Sequence, residues 1–161
     1  SAIALQVCTA GNLRTAILCA EVVRRHDAFS RFLIATDTPT GTGVMPLGMM
    51  YTIMNLAALS SLPPEWCIAA ATGNVADIYG LNSGIIGPGR DADLLILDAP
   101  LGATADSALG ALANGDPAAI GAVVSAGMPR FVGRSRNTPA PTRAPRVAAC
   151  RIMADYSGGG H

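Results

Sequence analysis

A single carboxylate follows an apolar run in the stretch "FLIATDTPTGTGVMP", residues 32–46. The acid is Asp37, and threonines and glycines follow it. Ligands of α/β proteins bind at the carboxyl ends of buried strands, where an aspartate can bind a metal ion or move a proton. An aspartate that caps its own turn would have the same spacing. The spacing therefore leaves a chemical and a structural interpretation of Asp37 open.

The glycines after Asp37 resemble the start of a nucleotide-binding loop, but the pattern is incomplete. Gly41 and Gly43 match the first two glycines of a dinucleotide fingerprint, whereas Pro46 occupies the third position. The chain also contains no lysine, which removes a P-loop lysine, a Schiff-base lysine and a carboxylated-lysine metal ligand. We therefore expect no nucleotide site.

Histidine and cysteine are too sparse for a complete metal site. The two histidines are His26 and His161, and His161 ends "SGGGH", which is typical of a linker and a purification tag. A catalytic zinc site usually needs two or three histidines. The cysteines, at positions 8, 19, 67 and 150, form no C-x-x-C pair, which favours reduced thiols. Because the opening residues do not resemble a signal peptide, we expect a cytoplasmic protein.

The overall composition limits the class of partner. Formal net charge is zero, so there is no overall electrostatic attraction to nucleic acid or to an anionic membrane surface. The apolar stretch at 44–62 is broken by Pro46, Gly48 and Asn55, which argues against a membrane span. Half of the residues are apolar and the mean hydropathy is +0.39, so we expect much of the surface to be covered in an oligomer.

The hydrophobic pattern predicts an α/β fold. We expect a helix over 11–29 that Asn12 caps, a strand over 31–36, and helices over 45–60, 63–72 and 74–80. The strand lacks alternation, as in a parallel sheet that is buried on both faces. After Gly80, the sequence predicts two short strands about a Pro-Gly turn, a small helix near 104–116, and a strand pair about a glycine turn at 120–135.

A series of motifs in residues 72–93 resembles the closing signature of the amidohydrolase superfamily. The matching positions are Thr72, Asn74, Ala76, Gly80-Leu81, Gly84-Ile85, Pro88-Gly89-Arg90 and Ala92-Asp93. Arg90 stands where that superfamily more often has a lysine. Three stretches, "TDTPTGTGVMPLGM", residues 69–116 and "GRSRNTPAPTRAPRV", are similar to the enamidase group of cyclic-amide hydrolases.

The resemblance implies a fold and a site. Residues 1–80 would be the C-terminal part of a metal-hydrolase (β/α)8 barrel, 81–136 part of a small β-sandwich cap, and 137–161 an extended Arg/Pro-rich tail ending in a tag remnant. Asp37 would be a metal ligand and the catalytic proton shuttle, at the end of the last barrel strand. Thr38, Thr40 and Thr42 would contact a cyclic amide substrate. The cation would be Zn2+, alone or together with Fe2+.

The chain is too short for the whole of such an enzyme, because a complete barrel needs roughly 250 residues. The superfamily's histidine ligands would come from earlier strands that this sequence lacks. Three explanations stay open: a split enzyme with a companion chain, a longer protein of which this is one part, and a non-catalytic subunit that binds a partner. In the third, the basic arm after residue 129, with six arginines and no acid up to Arg151, would be the binding segment, and nucleic acid is the less favoured partner.

Overall fold

The computed structural model describes residues 3–8, 12–38, 45–134 and 136–146. Five strands and five α-helices, with one 3-10 turn, occupy these ranges. In chain order they are β1 (Leu5–Cys8), α1 (Leu13–Arg25), the turn Phe29–Arg31, β2 (Phe32–Ala35), α2 (Gly48–Leu59), α3 (Pro64–Ala71), α4 (Gly73–Tyr79), β3 (Leu94–Asp98), α5 (Ala108–Asn114), β4 (Ala119–Ser125) and β5 (Met128–Val132). The predicted α/β class is confirmed.

The first part of the chain forms a β-α-β unit. β1 and β2 are parallel, with Leu5 opposite Phe32 and Cys8 opposite Ala35, and α1 is the crossover between them. Phe32, Leu33 and Ile34 are buried, as the absence of alternation in β2 predicts. β1 was not predicted, because four residues with one buried side chain carry too little pattern to be recognised without the partner strand.

Helix α1 begins as its sequence predicts and is then tied to the next helical layer. The side chain of Asn12 accepts a hydrogen bond from the Thr15 amide at 3.0 Å, which is an N-cap contact. Both carboxylate oxygens of Glu21 accept hydrogen bonds from Ser61, from its amide and its hydroxyl, each at 2.6 Å. These bonds hold the pKa of Glu21 below its usual value and join α1 to the turn before α3.

Helices α2, α3 and α5 share one hydrophobic core with the β-α-β unit. Leu56 of α2, Cys67 of α3 and Leu112 of α5 are fully buried in the same cluster. Met50 belongs to this core, and Met49 and Met54 pack against it, where their flexible side chains fill irregular gaps. Because α5 follows β3 in the chain, this core contains residues from both the predicted barrel part, 1–80, and the predicted cap part, 81–136.

The second sheet is antiparallel, in the order β3-β4-β5. The strand pair about a glycine turn is confirmed as β4 and β5, which meet at Ala126 and Gly127. The strand predicted immediately after Gly80 is wrong: residues 81–93 form a loop, and only β3 is a strand there. Gly84 has a φ of +79°, a left-handed conformation that interrupts an extended segment.

The described part of the basic arm lies against its own chain. Thr142 donates to the Ala99 carbonyl from its amide at 3.0 Å and from its hydroxyl at 3.1 Å. The buried carboxylate of Asp98 accepts hydrogen bonds from the Arg143 amide at 2.7 Å and from its guanidinium. These contacts attach residues 140–143 to the end of β3.

The described helices do not include one that is long and apolar enough to cross a membrane.

Candidate functional site

Asp37 lies two residues beyond the carboxyl end of β2, on the surface. Its φ is +59°, a left-handed conformation that aspartate adopts more readily than most residues. Beside it, the Thr38 amide lies 3.4 Å from the Thr36 hydroxyl oxygen, to which it donates. The backbone therefore turns sharply at Asp37 and leaves the carboxylate outside the core.

The two residues that flank Asp37 line a large apolar cleft. Thr36 and Thr38 lie at its edge, and the cleft has a volume of about 970 Å³. Its walls are formed by α2, α3, β3 and β4, among them the side chains Met49, Met50, Ile53, Leu95, Ile96 and Val124. This volume is at the upper end of the range for small-molecule sites. Asp37 itself does not line the cleft, but both of its neighbours in the chain do, so the exposed turn adjoins an apolar surface that the described residues leave uncovered.

The predicted substrate contacts are only partly within the described residues. Thr38 is exposed and borders the cleft beside Asp37. Thr40 and Thr42 lie outside the described residues.

Asn74 is a buried polar residue of the signature. Its side chain is buried, and Nδ2 donates to the Phe29 carbonyl at 2.8 Å and to the Phe32 carbonyl at 2.9 Å. Both amide hydrogens are thus used in holding the amino end of β2. Sequence reasoning included Asn74 in the signature but assigned it no role. The available signal was an amide in a run of small apolar residues, which must find partners when it is buried.

The remaining polar groups of the signature are also used within the chain. Asn82 Nδ2 donates to the Gly89 carbonyl at 3.2 Å and to the Asp91 carboxylate at 3.1 Å. Arg90 donates to the Leu81 carbonyl at 3.1 Å, and Asp93 accepts from the Ala126 amide at 2.8 Å. The carboxylates of Asp91 and Asp93 therefore accept hydrogen bonds from within the same chain.

Gly84 is required by a close approach between backbones. A Cβ at this position would lie 2.7 Å from the Thr72 carbonyl oxygen and 3.0 Å from the Ala76 Cβ. Its φ of +79° is also unfavourable for residues with a side chain. The signature loop therefore packs directly on the junction between α3 and α4.

The described residues do not by themselves fit a metal site. Within residues 3–8, 12–38, 45–134 and 136–146, no three His, Cys, Asp or Glu side chains converge on one point. His26 is exposed at the end of α1, on the surface that includes Ile3 and Arg31. Asp37 can thus supply one ligand, and a complete site would need others from outside these ranges.

The described cysteines agree with the reduced state expected from their spacing. Cys8, Cys19 and Cys67 are free thiols. Burial raises the pKa of the Cys67 thiol to about 12, so ionisation of this core thiol is disfavoured near neutral pH.

A comparison with protein-family models identifies the family. The model described as "Amidohydrolase family" matches residues 3–137, which is most of the chain. The chain belongs to the amidohydrolase family. It is therefore related to a family of hydrolases that generally use divalent metal ions.

The chain is similar to enamidase in sequence and in structure. The enamidase of Eubacterium barkeri is 39% identical over 144 residues, which cover 89% of this chain and 37% of the relative. A crystal structure of enamidase, described as a new member of the amidohydrolase superfamily, superposes with a TM-score of 0.85 at 39% identity. It too is covered over 37% of its length, against 89% of this chain. The chain thus spans little more than a third of the curated relative it matches.

Proposed function

We propose that the chain is part of a metal-dependent hydrolase that cleaves the C–N bond of a cyclic amide, with Asp37 as its catalytic carboxylate. The observation that carries the proposal is the position of Asp37, just beyond the carboxyl end of a buried parallel strand in a chain that superposes on enamidase. The 39% identity over 144 residues favours the enamidase-like substrate class over other amides.

The proposed role of Asp37 is to move a proton. Its carboxylate would accept the proton of the attacking water and return it to the leaving nitrogen, since breaking an amide C–N bond requires that nitrogen to be protonated. The exposure of Asp37 supports this role, because water and a substrate can reach a carboxylate at the surface. Thr38 would contact the substrate, and Thr40 and Thr42 are proposed to do so on sequence grounds alone.

Asp37 is also proposed as one metal ligand, for Zn2+ alone or with Fe2+. The other ligands would lie outside the described residues, in a companion chain or in a further region of the same protein. Support comes from the relative, which has a chain more than twice as long as the matched part. In this proposal residues 1–80 contribute to the barrel, 81–136 to the cap, and 137–161 form the tail, with α5 packed on the core of the barrel part.

Exposed apolar side chains support the need for a completing region. On the β1 side, Ile3 is 73% exposed, and beside the cleft Ile86 is 87% and Leu95 is 54% exposed. Such side chains near both sheets leave apolar area in water that further secondary structure would bury. We therefore expect the active form to be an assembly larger than this chain.

Mass spectrometry of the intact particle, combined with elemental analysis and a cyclic-amide hydrolysis assay, tests the proposal. We expect a companion polypeptide or a longer chain, a bound divalent metal, and turnover of a cyclic amide. An assembly that is complete, metal-loaded and inactive on cyclic amides would contradict the substrate class.

The alternative is a non-catalytic subunit that is derived from an amidohydrolase and binds a partner chain. It is favoured by the absence of a converging ligand set in the described part of the chain. The same elemental analysis separates the two, because this alternative requires a stable assembly without tightly bound divalent metal.

A further inference from the structure

We propose that Asn74 is a positioning residue, which fixes the amino end of β2 and thereby sets where the strand delivers Asp37. The inference deepens the proposed function and rests on it for its catalytic consequence. Its structural part concerns only the contact between Asn74 and β2.

The geometry of the contact is specific for a carboxamide. One nitrogen atom donates to two carbonyl groups that lie three residues apart, those of Phe29 and Phe32, at 2.8 and 2.9 Å. A hydroxyl group has one hydrogen to donate and an ionised carboxylate has none. Since Asn74 is only 8% exposed, water cannot replace the missing donor at these carbonyls.

The contact joins the family signature to the strand that ends at the candidate site. Asn74 lies in α4, and Phe32, 42 residues earlier in the chain, is the first residue of β2. Asp37 is five residues further on, roughly 16 Å away along an extended chain. Asn74 therefore does not touch reacting groups. Because the side chains of β2 are buried and close-packed, a shift at Phe32 moves the strand as a unit.

The chain contains a natural reporter of this contact. Trp66 is the single tryptophan, and its ring packs against Phe29 with the ring centroids 4.6 Å apart. The Phe29 carbonyl is one of the two acceptors of Asn74. A change in the turn at Phe29 should therefore alter the emission of Trp66.

Two variants remove the donor in different ways, and one control matches them. Asn74→Leu removes both hydrogen bonds and keeps the branch at Cγ, whereas Asn74→Asp keeps the volume and removes both bonds when the introduced carboxyl is ionised. The control is Asn82→Leu, which also removes two bonds from one Nδ2, to Gly89 and Asp91, but in the signature loop instead of at β2.

In the complete assembly, Asn74→Leu should lower kcat on the order of tenfold to a hundredfold at nearly unchanged KM, because a small displacement of a catalytic group is enough for such a loss. In the chain itself, the amides of β2 should exchange hydrogen at least about tenfold faster, and Trp66 emission should shift. Asn82→Leu should leave kcat, β2 exchange and Trp66 emission close to their wild-type values.

The pH dependence distinguishes a lost hydrogen bond from a packing defect. Burial next to two carbonyl oxygens raises the pKa of the carboxyl introduced by Asn74→Asp, and its protonated form can donate one hydrogen bond. In this variant, the protection of the β2 amides from hydrogen exchange should therefore recover in part as the pH falls. The exchange rate is compared with that of the wild type at each pH. Asn74→Leu should not recover.

Unchanged β2 exchange and unchanged kcat in Asn74→Leu would overturn the inference. So would equal effects of Asn74→Leu and Asn82→Leu, which would indicate general loosening. If both Asn74 variants fail to fold while Asn82→Leu folds, the positioning role is replaced by a purely structural one. Failure of the proposed function looks different: Asp37→Asn would then be as active as wild type, whereas the contrast in β2 exchange would still hold.

Discussion

The signature segment at 72–93, which includes α4 and the loop after it, and the turn at Asp37 differ in the surroundings of their polar side chains. In the signature segment, Asn74, Asn82 and Arg90 all donate to backbone carbonyls of the same chain. At the turn, Asp37 is exposed and lies between Thr36 and Thr38, which line an apolar cleft. The difference teaches that the residues that identify this family build the scaffold, whereas the proposed chemistry depends on one residue outside them.

Replacing Asp37 should have the largest effect and should affect activity alone. Asp37→Asn is expected to reduce turnover of a cyclic amide by the complete assembly about 10³-fold, because the amide cannot accept a proton. Asparagine adopts the left-handed backbone as readily as aspartate, so the melting temperature should stay within about 2 °C.

Asp27→Asn is the matched control for that measurement. Asp27 is also exposed and has a φ of +49°, but it follows α1 and is remote in sequence from the candidate site. Its substitution should change turnover less than about twofold. If Asp37→Asn kept full activity, Asp37 would have no catalytic role, and the contrast between a structural and a chemical loop would be wrong.

Replacing a glycine in the signature loop should have the opposite effect, because it should lower the stability of the fold. Gly84→Ala is expected to lower the free energy of unfolding by about 2–3 kcal/mol, since it adds a Cβ 2.7 Å from the Thr72 carbonyl oxygen at a positive φ. Urea denaturation of the chain, or of the assembly, would measure the change.

Gly89→Ala separates the two causes of that loss. Gly89 has a similar φ of +78°, but nothing lies within 4 Å of an added Cβ. We expect a cost of about 1 kcal/mol, which reflects the backbone conformation alone. Equal costs at Gly84 and Gly89 would show that the close approach to Thr72 is not required.

The attachment of the arm to β3 should give the smallest effect, visible mainly as a pH dependence. Hydrogen bonds from Arg143 hold the pKa of Asp98 well below its usual value. A carboxyl group whose pKa is lower in the folded state than in the unfolded state stabilises the fold. This contribution is complete above the unfolded pKa of about 4 and is lost as the pH falls toward the folded pKa. The difference in the free energy of unfolding between wild type and Arg143→Gln should therefore shrink as the pH is lowered below about 5.

Arg130→Gln controls for the loss of one positive charge. Arg130 is exposed on β5 and is not bonded to Asp98 in the structure, so its substitution should leave the urea midpoint nearly the same at every pH. If Arg143→Gln behaved in the same way, the arm would not depend on its contact with Asp98.

The local elements could be predicted where short-range signals agree. Asn12 caps α1 as its position predicts, and the apolar run before Asp37 is a buried strand. β1 could not be predicted, because its four residues become a strand only through pairing with β2. The segment at 83–86 was mistaken for a strand since its isoleucines favour one, while the approach of Gly84 to Thr72 decides otherwise.

The sequence by itself determined the family and the place of Asp37 after a buried strand, because both depend on neighbouring residues. Only the tertiary structure decided that Asn74 holds β2 and that Arg143 binds Asp98, since these partners are 42 and 45 residues apart. Hydrophobic periodicity and turn chemistry describe residues a few positions from one another. A hydrogen bond between distant segments depends instead on how the helices and sheets pack, which is settled by burial of the whole core.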